Sequence, residues 1–282
     1  MILVTGATGT VGRELVRLLA REGEPVRAMT RYPAKAALPA GVDVVAGDFD
    51  RPGTLAGAAA GIEAVFLLDA PGPWIPRHDR AMLAAARAAG VARVVKLSTL
   101  GTGELTSTVG SWHLPGERDL RAGGTGWTVL RPSAFASNVL NWAPRVRAGE
   151  PIPNPNGYGT QGVIDPRDIA EVAARALTSD AYLGQVLTLT GPELLSVPDV
   201  AARLGEILGR TIATVDVPLD AYRQGLLDRG LDPVFVESAV SGSKLIADGG
   251  YARLTGDVAQ VLGRPPRTFA AWAYDHRGSF AG

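Results

Sequence analysis

The chain opens with a short apolar run that leads directly into three evenly spaced glycines. Residues 1–12 read MILVTGATGTVG, so Gly6, Gly9 and Gly12 lie three residues apart, and a helical pattern starts immediately afterwards. The glycines let the backbone approach a diphosphate, and the free N–H groups and the dipole of the helix favour its negative charge. The sequence therefore predicts nucleotide binding at this turn. The alternative is an ordinary strand–turn–helix unit with convenient glycines.

Strand and helix patterns alternate through the first half of the chain. The predicted strands are 2–5, 25–30, 42–46, 64–68, 93–97 and 127–130, and the predicted helices are 11–22, 33–38, 52–60, 76–89 and 111–122. Apolar strands that are separated by helices and buried on both faces are typical of a doubly wound parallel sheet. The sequence thus predicts an α/β fold, with a Rossmann-like dinucleotide-binding domain in residues 1–132.

The alternation changes after residue 132. The pattern then predicts a helix over 134–148, a loop at 151–157, strands near 162–164 and 185–190, helices from 166 and 197, and short helices over 220–280. We expect residues 133–282 to form a smaller, mostly helical substrate-binding region over the carboxyl edge of the sheet, where open α/β sheets bind ligands. The two regions are expected to be interleaved, with residues 160–190 returning to the sheet.

Composition excludes several classes of protein. Lys plus Arg and Asp plus Glu number 28 each, so no overall field attracts nucleic acid or an anionic membrane. The chain has no cysteine and three histidines, none spaced as a ligand pair, so neither thiol chemistry nor a metal site is expected. No signal-like segment precedes Ile2, and no apolar run is long enough to span a membrane. We expect a cytoplasmic monomer or homodimer that acts on a small molecule.

Motifs spread over the whole chain resemble those of the NmrA-like family, an atypical branch of the short-chain dehydrogenase/reductase superfamily. They are the glycine turn, Gly47-Asp48, Leu97-Ser98, His113-x-x-x-Glu117, Leu130-Arg131-Pro132 with Asn138, Asp165-x-x-Asp168-Ile169-Ala170, Thr255-Gly256-Asp257 and Gly263-Arg264-Pro265-Pro266-Arg267-Thr268-Phe269. The resemblance implies an NAD(P)-binding Rossmann fold, a nicotinamide nucleotide and a small C-terminal substrate region. That family contains both NAD(P)H-dependent oxidoreductases and catalytically silent nucleotide sensors, so the resemblance leaves the activity open.

The end of the second predicted strand favours NADP(H) over NAD(H). An NAD site usually has an acidic residue there, which binds the ribose hydroxyls. This chain instead has Arg31, whose guanidinium suits a 2′-phosphate, and Lys35 one helical turn further on. The alternative is that both are solvated surface cations.

Further cofactor contacts are predicted around the turn and at the ends of the later strands. They are Gly6, Thr8, Gly9, Thr10, Val11 and Gly12 around the diphosphate, Asp48 and Phe49 beside the adenine, Leu67 and Leu68 along the adenosine, and Ser98 near the nicotinamide. Two of these have alternative roles, because Asp48 is also placed to cap the segment that starts near Arg51, and Ser98 to form a turn.

The usual proton donor of short-chain reductases, Tyr-x-x-x-Lys, is missing. None of the six tyrosines is followed by lysine four places on. The helix after the fifth strand carries His113 and Glu117 instead. Residues four apart share a helical face, so Glu117 is expected to orient or charge the imidazole of a catalytic His113. The alternative is a surface His–Glu pair with no part in catalysis.

The missing acid constrains the substrate. Reduction of a ketone gives an alkoxide that needs a proton at once, whereas hydride addition to a quinone or a conjugated enone gives a delocalised anion that water can protonate. The candidate substrate contacts are Trp112, Phe135, Asn138 and Tyr158. Aromatic side chains suit flat apolar molecules, although core packing is their commoner role.

We therefore expect an NADPH-dependent oxidoreductase that acts on a small, flat, quinone-like or conjugated carbonyl substrate. Two alternatives stay open at this point: a regulator that senses NADP without turning it over, and an isomerase, cyclase or lyase on the same fold.

Overall fold

A computed structural model of the chain describes residues 1–103 and 111–281, so Gly282, the end of the predicted second region, lies outside it. The strands are, in chain order, β1 (Ile2–Val4), β2 (Val26–Thr30), β3 (Asp43–Ala46), β4 (Ala64–Leu67), β5 (Arg93–Leu97), β6 (Gly126–Pro132), β7 (Ala134–Phe135), β8 (Ile152–Asn154), β9 (Gln161–Ile164), β10 (Gln185–Leu189), β11 (Leu194–Leu195) and β12 (Thr214–Asp216). The α-helices are α1 (Thr10–Arg21), α2 (Leu55–Ala59), α3 (Ile75–Ala88), α4 (His113–Ala122), α5 (Ala143–Ala148), α6 (Pro166–Thr178), α7 (Val197–Leu208), α8 (Leu219–Asp228), α9 (Pro233–Ala247), α10 (Asp257–Leu262) and α11 (Phe269–His276).

The central sheet has seven strands in the order β10-β6-β5-β4-β1-β2-β3. Strand β1 pairs in parallel with β2 on one side and with β4 on the other, where Leu3 lies between Arg27 and Val65. The chain therefore winds outward in one direction from β1 and then in the other, which confirms the predicted Rossmann-like α/β fold. Open α/β sheets bind ligands outside the carboxyl ends of their strands at such a reversal, which here lies at the end of β1.

The described residues of 1–131, together with Pro166–Thr188, form one compact unit built on this sheet. Helices α2, α3 and α4 pack on one face over a core that includes Leu3, Val65, Leu67, Met82 and Leu120. Helices α1 and α6 pack against each other and contact the sheet strands. All side chains of β1 and β4 are buried, as the continuous apolar runs of these strands predict.

Residues 132–165 and the described residues of 189–281 form the second unit. It contains a three-stranded sheet in the order β11-β9-β7, the parallel pair β12-β8, and a core that includes Phe269, Trp272 and Phe280. Strands β8 and β12 are absent from the sequence-based prediction, because three residues are too few to show a clear alternation, and β8 in addition lies between Pro151 and Pro155. What the two units each contribute to function stays a prediction.

The predicted single helix over 134–148 is wrong. Ala134 and Phe135 form β7, which pairs with β9; a 3-10 segment, Ala136–Trp142, follows, and the regular α5 begins only at Ala143. Pro144 lacks the N–H that would bond to Leu140 in a continuous α-helix, so the helix starts afresh with proline in its first turn. Within residues 1–103 and 111–281, no helix combines the length and the apolar character of a membrane span.

Candidate functional site

The glycine turn joins β1 to α1, and its conformation excludes side chains at two of the three glycines. Gly6 has φ of 58°, in the left-handed region that favours glycine. A Cβ atom on Gly12 would lie 2.2 Å from the carbonyl oxygen of Gly6, so α1 approaches the turn this closely only because residue 12 has no side chain. This is the backbone geometry that a diphosphate site needs.

The N-terminus of α1 presents backbone N–H groups without a side-chain cap. Gly9 occupies the N-cap position, and the first turn of the helix contains no acidic residue. Thr8, Gly9 and Thr10 are exposed, whereas the Val11 side chain is buried. Only the backbone N–H group of Val11 is therefore available to contact a ligand. Arg13, which no sequence signal distinguishes from other surface arginines, donates to the Thr8 carbonyl at 3.0 Å. The open N–H groups, the helix dipole and this cation all favour an anion.

The end of β4 supports the turn. The hydroxyl of Thr5 donates to the carbonyl of Leu68 and accepts the N–H of the same residue, both at 2.8 Å. A Cβ atom on Gly6 would lie 3.0 Å from Cγ of Leu68. Leu68 therefore packs against the turn, whereas Leu67 is fully buried in the core beneath the sheet. Of these two predicted adenosine contacts, only Leu68 has its side chain beside the glycines.

Arg31 and Lys35 follow the end of β2 and flank one aromatic ring. The guanidinium carbon of Arg31 lies 5.9 Å from the ring centre of Tyr32, and Nζ of Lys35 lies 5.6 Å from it. All three residues are exposed, and no carboxylate in the described part of the chain forms an ion pair with either cation. The predicted helix over 33–38 is only a 3-10 turn, Pro33–Lys35, since the backbone is already extended at Ala36, and Pro39 also disfavours a helical conformation at Leu38.

Asp48 and Phe49 follow β3. The carboxylate of Asp48 accepts the N–H of Asp50 at 3.1 Å and so closes a local turn. The following 3-10 segment, Pro52–Thr54, has Arg51 at its N-cap position and no side-chain cap, so the alternative role of Asp48 as its cap is wrong. Phe49 is partly buried, and its ring stacks on that of His78 with 5.3 Å between the centroids.

Glu117 lies at the centre of a buried network behind the end of β5. Both of its carboxylate oxygens accept from Arg131, at 3.0 and 2.7 Å, and Arg121 donates to Oε2 at 2.9 Å. Ser98 donates its hydroxyl to Glu117 at 2.7 Å, so this side chain is already engaged within the protein. Glu117 is fully buried, and these contacts join α4 to β5 and β6.

The structure does not bring His113 and Glu117 together as the four-residue spacing predicts. Nδ1 of His113 is buried and has no hydrogen-bond partner in the described part of the chain. Burial of the imidazole, together with the charge of Lys96, lowers the pKa of His113 to about 3. The imidazole is therefore neutral at about pH 7. The role expected for Glu117, orienting or charging His113, is replaced by the contacts with Arg131.

A buried ion pair that the sequence analysis missed lies beneath α4. Nζ of Lys96, on β5, is 2.6 Å from Oδ2 of Asp79, on α3, and both side chains are almost completely buried. A Cβ atom on Gly116 would lie 2.0 Å from the same carboxylate oxygen, so α4 rests directly on the pair. Desolvation raises the pKa of Asp79, and the Lys96 ammonium opposes this shift. A lysine between Val95 and Leu97, in the apolar part of the strand, is the signal that could have revealed the pair.

The four predicted substrate contacts belong to different parts of the chain. Trp112 precedes α4 in the first unit and is partly buried. Phe135, at the end of β7, the exposed Asn138 and Tyr158, which is 85% exposed, belong to the second unit. Their role in substrate binding stays a prediction. In the described residues, no group of three or more His, Asp or Glu side chains is arranged to hold a metal ion.

Comparison with known proteins identifies related sequences along the whole chain. A family model described as NAD(P)H-binding matches residues 6–180. The chain is 36% identical to a (4-alkanoyl-5-oxo-2,5-dihydrofuran-3-yl)methyl phosphate reductase of Streptomyces griseus, over an alignment that covers 100% of this chain and 99% of the relative. It is also 36% identical to an NAD(P)H azoreductase of Xenophilus azovorans, with 99% of each chain covered.

A solved structure shares the whole fold. The crystal structure of an NADPH-dependent quinone oxidoreductase from Escherichia coli, complexed with NADPH, superposes with a TM-score of 0.87 and 25% identity, covering 98% of this chain and 100% of that one. The relatives are reductases, and together they support a reductase role and a nicotinamide cofactor for a chain of this kind.

Proposed function

This chain belongs to the NAD(P)H-binding family, and from that membership we propose that it is an NADPH-dependent reductase that transfers hydride to a flat conjugated acceptor, either a quinone or an α,β-unsaturated carbonyl compound. The observation that carries the proposal is the glycine turn, where the closely packed backbone of Gly6 and Gly12 leads into an uncapped helix N-terminus. Such a turn at the crevice of a doubly wound sheet fits the diphosphate of a dinucleotide.

The preference for NADPH rests on the cations after β2. Arg31 and Lys35 offer two positive charges without a carboxylate partner in the described residues, which suits a dianionic 2′-phosphate. An acidic residue that would favour the ribose hydroxyls of NADH is missing from this position. Asp48, Phe49 and Leu68 then border the adenosine.

The acceptor class follows from the groups around α4. A bound reduced nicotinamide supplies hydride, that is, two electrons and one proton. With its pKa lowered to about 3, His113 is not an imidazolium acid near neutral pH, and Glu117 is held by Arg131. The protein therefore suits acceptors whose anion, after hydride addition, is delocalised onto oxygen and takes its second proton from water.

The names of the relatives support this class. The reductase from Streptomyces griseus is named for a dihydrofuran ring whose double bond is conjugated with a 5-oxo and a 4-alkanoyl group. The azoreductase is named for reduction of an N=N bond, and the Escherichia coli enzyme for quinones. The dihydrofuran and the quinone are conjugated carbonyl acceptors, and none of the three names describes a simple ketone.

A panel of acceptors tests the proposal. The protein is incubated with NADPH and, in turn, a naphthoquinone, a conjugated lactone, an azo dye and cyclohexanone, while the absorbance of the reduced nicotinamide is followed. We expect oxidation with at least one conjugated acceptor and none with cyclohexanone, which lacks a conjugated double bond. Equal turnover of cyclohexanone would contradict the substrate class. Binding of NADPH without oxidation by any acceptor would favour the nucleotide sensor, which the missing Tyr-x-x-x-Lys pair supports.

A further inference from the structure

A buried histidine links the segments that follow β3 and β4. His78 lies on α3 with its side chain only 6% exposed. Its Nδ1 atom is 2.5 Å from Oδ2 of Asp69, just after β4, and its Nε2 atom is 3.1 Å from Oδ1 of Asp50, just after β3. Its ring stacks on Phe49 at 5.3 Å with the planes inclined by 15°. One side chain thus contacts both segments at once.

The contacts of the two ring nitrogens differ in kind. Carboxylates only accept hydrogen bonds, so Asp69 and Asp50 can both be satisfied only when both nitrogens carry a proton. Arg77 is a second partner for both Asp50 and His78, because its Nη2 atom is 2.5 Å from Oδ1 of Asp50 and 3.2 Å from Nε2 of His78. A neutral imidazole can therefore donate to Asp69 and accept from Arg77. The bond to Asp69 exists in both states, which makes it the constant part of the link.

The cluster is built from charged and polar groups rather than from apolar packing. Asp69 is 13% exposed, while Asp50 is 61% exposed and reaches solvent. The hydrogen bond from His78, the largest cause, and the charges of His78 and Arg77 keep the pKa of Asp50 below its usual range. Burying an imidazole beside carboxylates is unfavourable unless the hydrogen bonds are well made, so this arrangement fixes the geometry of its neighbours.

The residues that His78 contacts belong to, or directly follow, the segments that the proposed function places around the adenosine. Phe49, on which the imidazole stacks, adjoins Asp48, and Asp69 adjoins Leu68. We infer that His78 is a positioning residue for the adenosine half of the cofactor, because it holds the Phe49 ring and the segment after β4 in fixed relation. This inference rests on the proposed nucleotide site, and it assigns a role to a residue that would not itself touch the hydride or the substrate.

The test compares two variants of His78 with a matched control. His78→Phe keeps a flat ring against Phe49 but removes both hydrogen bonds. His78→Asn keeps an amide N–H where Nδ1 lies and can still donate to Asp69. His276→Phe is the control, because His276 also stacks on an aromatic ring, Trp272 at 4.3 Å, and hydrogen-bonds through Nδ1, to the Trp272 carbonyl at 2.8 Å, but it belongs to the second unit.

The measurements are the Kd of adenosine 2′,5′-bisphosphate by calorimetry, and KM for NADPH and kcat with an acceptor that the wild type reduces. For His78→Phe we expect Kd and KM to rise about tenfold while kcat at saturating NADPH stays within about twofold. His78→Asn should recover part of the loss, with Kd raised only about threefold. The His276→Phe control should keep the wild-type values.

The outcomes separate this inference from the proposed function. If the wild type binds neither adenosine 2′,5′-bisphosphate nor NADPH, the proposed nucleotide site fails. If the wild type binds both and a folded His78→Phe variant binds them equally well, only the role of His78 is overturned. A fall in kcat that matches the rise in KM also overturns it, since a positioning residue for the adenosine should act on binding alone. If His78→Phe does not fold, His78→Asn decides, and an unchanged Kd overturns the inference.

Discussion

The glycine turn and the N-terminal half of α4 both follow strands of the central sheet, but they hold their polar groups in opposite ways. The turn leaves backbone N–H groups at the start of α1 without a side-chain cap. Behind β5, the carboxylate of Glu117 is bound by Arg131, Arg121 and Ser98 and is fully buried. The first region has donors available for a ligand, whereas the second uses its charges to join α4 to the sheet.

Under the proposed function, the two regions would contribute to a reductase in different ways. Unsatisfied donors at a helix N-terminus provide binding energy for an anion. A buried and satisfied salt bridge provides rigidity instead, and it costs stability when one partner is removed. Under the proposed function, the turn binds the cofactor, and α4, with the neutral His113 at its start, contributes little acid–base chemistry.

The first prediction, which has the largest expected effect, concerns the addition of a side-chain atom at Gly12. In Gly12→Ala, the added Cβ would lie 2.2 Å from the Gly6 carbonyl oxygen, so the turn or α1 must move. We expect the Kd for NADPH, measured by calorimetry, to rise about a thousandfold or more. Gly57→Ala is the control, because a Cβ there meets nothing within 4 Å. NADPH binding by a folded Gly12→Ala variant with unchanged affinity would show that the turn is not the diphosphate site.

The second prediction concerns stability rather than binding. Glu117→Gln leaves the buried guanidinium of Arg131 beside an uncharged amide, so we expect the free energy of unfolding to fall by about 3 kcal/mol. Urea unfolding checks this, with Glu14→Gln as the control, since Glu14 forms only an exposed pair with Arg17 and should change stability by about 0.5 kcal/mol or less. A catalytic Glu117 would give the reverse result, with unaltered stability and a large loss of kcat.

The third prediction tests the cations after β2. Arg31→Glu reverses a charge beside the proposed 2′-phosphate, so the Kd for NADPH should rise about thirtyfold while that for NADH changes about threefold or less. Arg21→Glu, at the exposed end of α1, provides a charge-matched control. If Arg31→Glu and Arg21→Glu change the Kd for NADPH equally, Arg31 has no specific role in binding the 2′-phosphate.

Near neutral pH, the smallest expected effect is that of His113, because its titration changes stability only below about pH 6.5. Its pKa is lowered from 6.5 to about 3 by burial, so between these values the unfolded chain binds a proton that the folded chain does not. The free energy of unfolding therefore decreases as the pH falls from 6.5 toward 3, and this titration has no effect on it above pH 6.5. His113→Gln should therefore reduce the slope of unfolding free energy with pH by about 1.4 kcal/mol per pH unit in this window. An unchanged slope would mean that His113 is already protonated in the folded protein.

The two regions also differ in how far the sequence predicts them. The glycine turn depends on local backbone conformation, a positive φ at Gly6 and a missing Cβ at Gly12, so the spacing of the glycines is enough to predict it. The fold follows in the same way from alternating apolar strands and helices. Local patterns fail where a proline interrupts a helical pattern, as Pro144 does in the first turn of α5, directly after the 3-10 segment.

Around α4, the sequence predicts the side chains but not their partners. His113 and Glu117 are four residues apart on one helix, but Arg131 from β6 and Ser98, which follows β5, bind the carboxylate instead. The Lys96–Asp79 pair and the His78 cluster likewise join residues from separate elements. Pairs of this kind depend on tertiary packing, which helical spacing alone does not contain.

The central claim, that the start of α1 binds the diphosphate of a nicotinamide dinucleotide, is tested most directly by a crystal structure of the protein with NADPH. We predict electron density for the diphosphate at the turn, with its oxygens within hydrogen-bond distance of the N–H groups of Thr10 and Val11. A well-ordered NADPH bound elsewhere, with the turn occupied only by water, would contradict the account.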